Sequence, residues 1–415
     1  MYASKLELKL NNKERSKLAG CSGFKRFLYN FALNLVKSSW QFENIKASDS
    51  KRIDAIKKIL TNVVMQKPEY GWMRNYPSTV YQSALQDLKD AFGRWRKGLA
   101  RMPVFKNKRQ GDSFTVYKTS GTYPEKGFAA LPFTNRQVLK QGRRITLPGL
   151  GELRLKEKLT FTCSSQTFTI SRQSNKWFVS FTLDVERVPP LFHEVVEPIG
   201  VDLGIKCFAT LSDSTTYIAP KPLKKAKTKL AKLQWRNRNK QLGNKRLGIR
   251  SSSNARKFYL KQAVLHADIA NQRQDYIQKT TTEISRKYAH IKIEDLNISG
   301  MIANRKLSAA ISDLGLYELR RQLEYKSAIY GTTVEVVDRW FPSSKTCSKC
   351  GDIKEHLSLS ERVFDCSKCG NLVDRDLNAA LNLSKYVPGA TGKLKPADEK
   401  GPTPSATSVK RRGRK

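Results

Sequence analysis

The sequence predicts a multidomain α+β protein, and three features carry that prediction. Residues 13–102 hold apolar side chains at helical spacing, and residues 103–197 alternate apolar and polar positions in short runs. From residue 198 strands and helices alternate around a cluster of four cysteines.

The chain opens on Lys5-Leu6-Glu7-Leu8-Lys9-Leu10, an alternating run that makes residues 1–12 a strand. Phe24, Phe27, Phe31 and Leu35 then recur at spacings of three and four, one face of a helix, and Val80, Ala84, Leu88 and Phe92 line a second helix after Pro77. From Pro103 the texture changes. Phe114/Val116, Ile145/Leu147, Leu153/Leu155, Phe168/Ile170 and Trp177/Val179/Phe181/Leu183/Val185 alternate between Gly, Pro, Ser and Asn, which predicts a small antiparallel barrel or sandwich. The third region starts with the apolar strand Ile199-Gly-Val-Asp-Leu-Gly-Ile205 and a second strand through Phe208. A basic helical section follows, then a helix with Phe258, Leu265, Ile269, Tyr276 and Ile284 inside. After it come a strand His290–Glu294, a polar helix and a strand Val334–Val337. This alternation predicts an α/β core over 198–342. The cysteine segment 343–370 interrupts that core and the helical Asp376–Leu383, within 371–387, completes it. Residues 388–415, rich in Pro, Gly, Ser and Lys/Arg, read as a disordered basic tail.

The chain has 77 Lys+Arg against 36 Asp+Glu, a formal charge of +41. That much uncompensated charge repels itself and calls for a polyanionic partner, nucleic acid first. A basic unfolded protein is excluded by 39% hydrophobic residues with 18 Phe, 15 Tyr and 6 Trp, ample material for cores. No stretch of ~20 apolar residues appears, and the N-terminus alternates where a signal peptide carries an apolar run. A soluble intracellular protein is expected, in the cytoplasm or nucleoid of a prokaryote, or in the nucleus of a eukaryotic host.

Four of the seven cysteines stand as Cys347-x-x-Cys350 and Cys366-x-x-Cys369, each pair followed by glycine (Gly351, Gly370). Two such knuckles supply four thiolates for one tetrahedral Zn2+, and the glycines relieve the backbone as it turns around the metal. A redox dithiol needs only one pair. With four cysteines the metal has no open position, so its role is structural, holding Lys345, Lys349, Lys354 and Lys368 towards a partner.

Three acids stand in apolar settings. Asp202 interrupts the strand 199–205, Glu294 ends the strand Ile291-Lys-Ile-Glu, and Asp376 begins a helix in Asp374-Arg-Asp-Leu-Asn-Ala-Ala. Taken singly, each fits a cap or a satisfied turn residue, and Asp376 in particular suits an N-cap. Together, on neighbouring elements of one sheet, they suit two Mg2+ ions about 4 Å apart, the arrangement that phosphodiester hydrolysis demands. Their order, Asp, Glu, Asp, separated by 92 and 82 residues, argues against the Asp-Asp-Glu arrangement of many cut-and-paste transposases. There is no G-x-x-x-x-G-K-[ST] loop, which argues against ATP-driven work, and the four isolated histidines leave no His-x-His nuclease site.

Between Ser214 and Ala267 stand fifteen Lys/Arg and no acid, interleaved with Trp235, Phe258 and Tyr259. A solvated helix face is the plain reading. The total lack of acids and the position between two candidate catalytic strands favour a nucleic-acid channel, with Lys224, Lys225, Trp235 and Arg236 as contacts. In Tyr76-Pro-Ser-Thr-Val-Tyr-Gln82, Thr79 and Gln82 form a capping box, and the same helix N-terminus carries Ser78 and Thr79 in position to read bases.

Gly200-Val-Asp-Leu-Gly-Ile205, Ile293-Glu-Asp-Leu-Asn-Ile298, Phe341-Pro-Ser-Ser-Lys-Thr-Cys-Ser-Lys-Cys-Gly351, Phe364-Asp-Cys-Ser-Lys-Cys-Gly370 and Asp374-Arg-Asp-Leu-Asn-Ala-Ala-Leu-Asn-Leu383 resemble the RuvC and zinc-ribbon motifs of the TnpB family. These are insertion-sequence-encoded, RNA-guided nucleases similar to type V CRISPR effectors. Phe24-Lys-Arg-Phe-Leu-Tyr-Asn30, Leu85-Gln-Asp-Leu-Lys-Asp-Ala-Phe92 and Pro103-Val-Phe-Lys106 are weaker matches in the same order, so the resemblance spans nearly the whole chain apart from the tail. It implies a helical recognition lobe (13–102), a wedge β-barrel (1–12 and 103–197) and an RNase H-like RuvC α/β nuclease domain with a four-Cys zinc-ribbon insertion that binds target nucleic acid. Asp202, Glu294 and Asp376 match the three metal-binding acids, with Asp374 the weaker match in the last motif. Tyr76, Ser78, Thr79 and Gln82 lie where the family's motif-reading helix begins. The implied activity is RNA-guided, Mg2+-dependent cutting of double-stranded DNA beside a short flanking motif, with a guide RNA from the transposon end and no membrane or ATP. Two alternatives stay open. One is a nucleic-acid-binding protein that does not cut, as in relatives that have lost acids. The other is a structure-selective nuclease that needs no guide.

Overall fold

The computed structural model describes residues 2–39, 48–108, 111–117, 137–160, 162–183, 192–243, 247–358 and 360–388. The basic tail beyond residue 388 lies outside them. The chain forms two compact units, residues 1–187 with 229–268, and residues 188–228 with 269–415.

The first unit begins with β1 (Tyr2–Leu8), followed by α1 (Asn12–Ser39), α2 (Asp49–Asn62) and α3 (Ser78–Arg96). Seven strands follow: β2 (Asp112–Tyr117), β3 (Gln137–Leu139), β4 (Gly142–Leu147), β5 (Gly151–Leu159), β6 (Cys163–Ser165), β7 (Thr167–Gln173) and β8 (Lys176–Leu183). Five of them join β1 in a six-stranded antiparallel sheet in the order β2-β7-β8-β1-β5-β4, and β3 pairs with β6. The N-terminal strand thus sits inside the sheet, Leu6 opposite Val179 on β8 and Leu8 opposite Leu155 on β5. Period-two alternation puts Phe168 opposite Phe181 and Ile170 opposite Val179, all four buried on one face. Among the described residues β2 and β4 end the sheet, so the antiparallel sheet expected for 103–197 is present, and residues 118–136 of the expected barrel lie outside the described residues.

The helices and the sheet share one hydrophobic core, in which Phe24, Leu28, Val80, Leu88 and Phe92 pack with Phe114, Val116 and Phe168. Buried Asp112 on β2 pairs with Arg26 on α1 at 3.2 Å and with Arg172 on β7 at 3.5 Å. The two guanidinium partners tie helix to sheet, and removing either would leave the buried carboxylate less compensated.

The second unit holds β9 (Ile199–Asp202), β10 (Ala209–Leu211), β11 (Thr216–Tyr217) and the start of α4 (Pro222–Arg236). The long α5 (Ser253–Lys287) ends in it. Then come β12 (His290–Glu294), α6 (Ile298–Ala303), α7 (Ser308–Leu314), α8 (Leu316–Tyr330), β13 (Thr333–Val337), β14 (Val363–Asp365), β15 (Leu372–Asp374) and α9 (Arg375–Lys385). The main sheet runs β11-β10-β9-β12-β13, antiparallel at its first pairs and parallel from β9 to β13. Val201, Ile291 and Ile293 pack with Ile277, Ile284, Leu319 and Leu323 in its core. This is the α/β core that the alternation predicts. Two expectations change. Residues 229–268, read as part of the nuclease core, cluster with the first unit, where Ser174 donates to the Ala263 carbonyl at 3.1 Å. The strand read as 199–205 stops at Asp202, because the Leu203 N–H leaves the ladder for a side chain on β12.

No helix among the described residues is long and apolar enough to cross a membrane.

Candidate active site and metal centre

Parallel pairing of β9 and β12 sets Val201 opposite Ile293, so the next residues, Asp202 and Glu294, end the two strands side by side, still paired to β10 and β13 on their outer edges. The Leu203 N–H donates to Glu294 Oε1 at 3.2 Å and fixes that side chain. The third acid arrives on α9. Its first residues follow β15, and Gly200 lets the helix lie directly on β9, since a β-carbon there would collide with the backbone of Ala380 and Ser384. Asp376 Oδ2 then comes within 3.9 Å of the place a β-carbon on Gly204 would take. Asp376 does not cap its helix. Asp374 does, accepting from the N–H groups of Asp376 at 2.9 Å and Leu377 at 3.2 Å, which leaves the Asp376 carboxylate for the site.

The three carboxylates act on one another. Burial, then the neighbouring charges of Glu294 and Asp376, push the Asp202 carboxyl well above the usual carboxylate range. Burial also lifts Glu294 to about 7, against the Leu203 N–H that favours its charged form. Among the described residues no Lys or Arg forms an ion pair with any of the three, in a protein of formal charge +41. The Arg375 charge acts on Asp202 without forming an ion pair, and clustered oxygen donors of this kind suit hard divalent cations such as Mg2+. Among the described residues the set whose ligand atoms all lie within 4.8 Å of one another is the four cysteines, so the three acids spread wider than that.

In that set Cys347 Sγ stands 3.7 Å from Cys369 Sγ, and Cys350 Sγ 3.6 Å from Cys366 Sγ. Four sulfurs around a tetrahedral Zn2+ with ~2.3 Å bonds are about 3.8 Å apart, so the donors fit the ion. Gly351 and Gly370 close the two knuckles at φ +77° and +66°, conformations a side chain strains. Burial works against the Cys347 thiolate, but N–H groups of Cys350 and Lys349 aimed at its sulfur outweigh that and bring the thiol down to about 6. Of the lysines expected to face a partner, Lys345 donates to the Glu355 carbonyl, Lys354 lies over Phe364, and Lys368 pairs with Asp352. Lys349 remains exposed.

The residues read as nucleic-acid contacts divide. Lys224, Lys225, Trp235 and Arg236 are exposed on α4, with Arg238 over the Trp235 ring at 4.7 Å. Phe258 is buried and Tyr259 donates to the Lys240 carbonyl, so neither serves as a free stacking face. Tyr76 stacks on Phe24 at 5.1 Å, Ser78 is exposed, and the capping box is not formed. Pro77 occupies the N-cap, Gln82 accepts from Tyr117 Oη, and Thr79 is buried with its hydroxyl unpartnered. A proline N-cap has no side-chain oxygen to offer, and Gln82 faces the sheet instead of the helix start.

The family model described as "Probable transposase" matches residues 180–305, and "Cas12f1-like, TNB domain" matches residues 317–383. A protein of Streptomyces pristinaespiralis named "Putative RNA-guided DNA endonuclease" is 30% identical over 374 residues, 90% of this chain and 86% of its own. The chain belongs to the TnpB family. A second TnpB-type relative, "Putative RNA-guided DNA endonuclease InsQ" of Escherichia coli K12, is 30% identical over 400 residues, 92% of this chain and 91% of its own. The cryo-EM structure of the Cas12f1-sgRNA-target DNA complex aligns over 91% of this chain and 87% of that one, with a TM-score of 0.50 and 16% identity. At that identity the likeness is one of fold.

In this TnpB chain several supporting residues escape motif reading. Asn378 and Asn382, buried on α9, hold the cysteine module: Asn378 donates to the Thr346 carbonyl at 2.7 Å, and Asn382 to Ser343 and Thr346 at 2.7 and 2.6 Å. Buried Asp313 accepts from the Leu223 and Lys224 N–H groups at 2.9 and 3.0 Å and secures the start of α4. An asparagine at helical spacing on an otherwise apolar face, as at 378 and 382, is the one signal the sequence offered for them.

Proposed function

We propose that this protein is an RNA-guided DNA endonuclease whose cutting centre is Asp202, Glu294 and Asp376. One observation supports the reading: three carboxylates from β9, β12 and α9 lie close enough to act on one another at the carboxyl ends of parallel strands, and among the described residues none of them forms an ion pair. The names of the relatives support the same activity, and the basic excess supports a guide RNA and a duplex as partners.

Asp202, Glu294 and Asp376 would hold the divalent ions, two Mg2+ by the number and spread of the donors. Bound there, the ions supply a polarised water and screen charge on the scissile phosphate. The protein's own part is to hold three charges where charge is costly. Burial raises the Asp202 carboxyl well above the usual carboxylate range and Glu294 to about 7, so a divalent cation would have to displace protons to bind there. The Leu203 N–H keeps Glu294 aimed at the shared space, and Asp374 supports the helix that carries Asp376. Cys347, Cys350, Cys366 and Cys369 would hold one structural Zn2+, with the guide supplied from the transposon end.

The test is to purify the protein with RNA from its native locus, sequence that RNA, and incubate the complex with a plasmid library bearing the matched target beside randomised flanks. Guide-dependent cutting, lost in Asp202→Ala, supports the reading. Binding without cutting in Mg2+ favours a non-cleaving protein, and cutting without RNA a structure-selective nuclease.

A further inference from the structure

Next to the three acids the second unit contains a cavity of about 470 Å3 that none of the motifs explains. Its floor is apolar, made by Ile205, Leu223, Ala309 and Ala310, and its rim carries Lys224, Lys227 and Lys306. Two features hold it in shape. Lys221, between Pro220 and Pro222, sits at φ +47°, a left-handed conformation rare for a side-chain-bearing residue, and its Nζ donates to the Ile205 carbonyl at 3.0 Å. Asp313, which also lines the cavity, is engaged by two α4 N–H groups and by Arg273 at 3.6 Å, so its charge is spent within the wall. Among the described residues no carboxylate pairs with Lys224, Lys227 or Lys306. The volume lies in the ~300–1,000 Å3 range of small-ligand sites.

An apolar floor ringed by ammonium groups selects an anion with a flat apolar part, which is the chemistry of a nucleotide. A base stacked within a duplex cannot enter such a pocket, whereas an unpaired one can. Ile205 follows Asp202 by three residues and adjoins Gly204, which lies beside the Asp376 carboxylate, so the nearest unpaired nucleotide is on the strand at the acids. We propose that the cavity is a nucleotide subsite for the DNA strand being cut, its floor under one unpaired base and its three lysines on the flanking phosphates. The proposal rests on the endonuclease reading for the identity of the strand.

The experiment uses the whole protein–guide RNA complex, with a fluorescent single-stranded DNA oligonucleotide and Ca2+ in place of Mg2+, read by anisotropy across a salt series. Ala310→Trp fills the cavity from an exposed position and leaves the charge unchanged. It should weaken binding roughly tenfold at unchanged salt slope, as expected for excluding one base from an apolar surface. Lys227→Ala with Lys306→Ala should reduce the salt slope by roughly 1.4, the release expected for two phosphate contacts on a single strand. Both variants should keep their guide RNA. Affinity within about twofold of wild type in both, where a lost base or phosphate contact costs more, overturns the subsite. Loss of guide RNA with unchanged DNA affinity also overturns it, because the occupant is then RNA. Failure of the wild-type complex to cut a matched target in Mg2+ removes the endonuclease reading instead, and the anisotropy result still decides the subsite.

Discussion

A β-carbon on Gly200 would stand 1.9 Å from the carbonyl oxygen of Ala380 and 2.5 Å from the amide nitrogen of Ser384. Both obstacles are backbone, so neither can rotate away. Gly200→Ala must therefore move α9 off β9. Overpacking of this kind costs ~1–3 kcal/mol, and the rigid obstacle puts this case at the upper end. Because Asp376 rides on the displaced helix, cleavage should fall more than roughly a hundredfold, as misplacement of a reacting group implies. Thermal unfolding and a cleavage time course check both. A variant with wild-type melting and wild-type cutting contradicts the contact.

Asp374 and Asp376 stand two residues apart and should fail differently. Asp374→Ala removes the α9 cap and should lower stability by about 0.5–2 kcal/mol while part of the cutting survives. Asp376→Asn should keep the melting temperature and abolish cutting. If Asp374→Ala instead abolishes cutting with no loss of stability, the two roles are reversed.

The raised carboxyls make the metal-free protein sensitive to pH in a defined direction. Folded Asp202 and Glu294 hold protons that the unfolded chain has already released, so the folded state binds more protons above the ordinary carboxylate range, up to about 7 in the case of Glu294. Their contribution to stability is full below that window and is lost as pH rises through it. Glu294→Gln should flatten this slope. Protons and cations compete for the same oxygens, so Mg2+ should raise the melting temperature more at about pH 8 than at about pH 6. Equal shifts at the two values, measured by calorimetry, would show that the acids do not hold the ion.

Metal analysis should find one zinc per chain, falling below about half an equivalent in Cys366→Ser, because the ligand set is then incomplete. Asn382→Ala should retain the zinc yet lose ~1–3 kcal/mol, since the buried Ser343 carbonyl loses its donor while the Thr346 carbonyl keeps Asn378. Zinc content unaffected by Cys366→Ser would reject the four-sulfur site.

Periodicity made much of the fold legible. The buried stripe Val80, Ala84, Leu88 and Phe92, the alternating β8 and the strand 290–294 all appear where their patterns put them. The six-stranded sheet was less legible, because β1 pairs with strands far along the chain and alternation says nothing of partners or closure. At the candidate site, residue type and apolar setting singled out Asp202, Glu294 and Asp376, but that Asp374 and not Asp376 caps α9 depends on which side chain reaches the first free N–H groups. The Thr79–Gln82 pair misled for the same reason. A capping box is a local rule, and the Tyr117 hydroxyl on β2 drew Gln82 away from it.

The contact of α9 with β9 also sets a clock. Asp376 is synthesised 174 residues after Asp202 (376 − 202), with the whole cysteine module made in between. At about 5–20 residues per second, roughly 9–35 s separate the first acid from the last. A growing chain therefore exposes β9, β12 and most of its basic surface to cellular nucleic acid while still lacking its final carboxylate. On the proposed reading, the basic surface would be made before the last of the three metal-holding carboxylates.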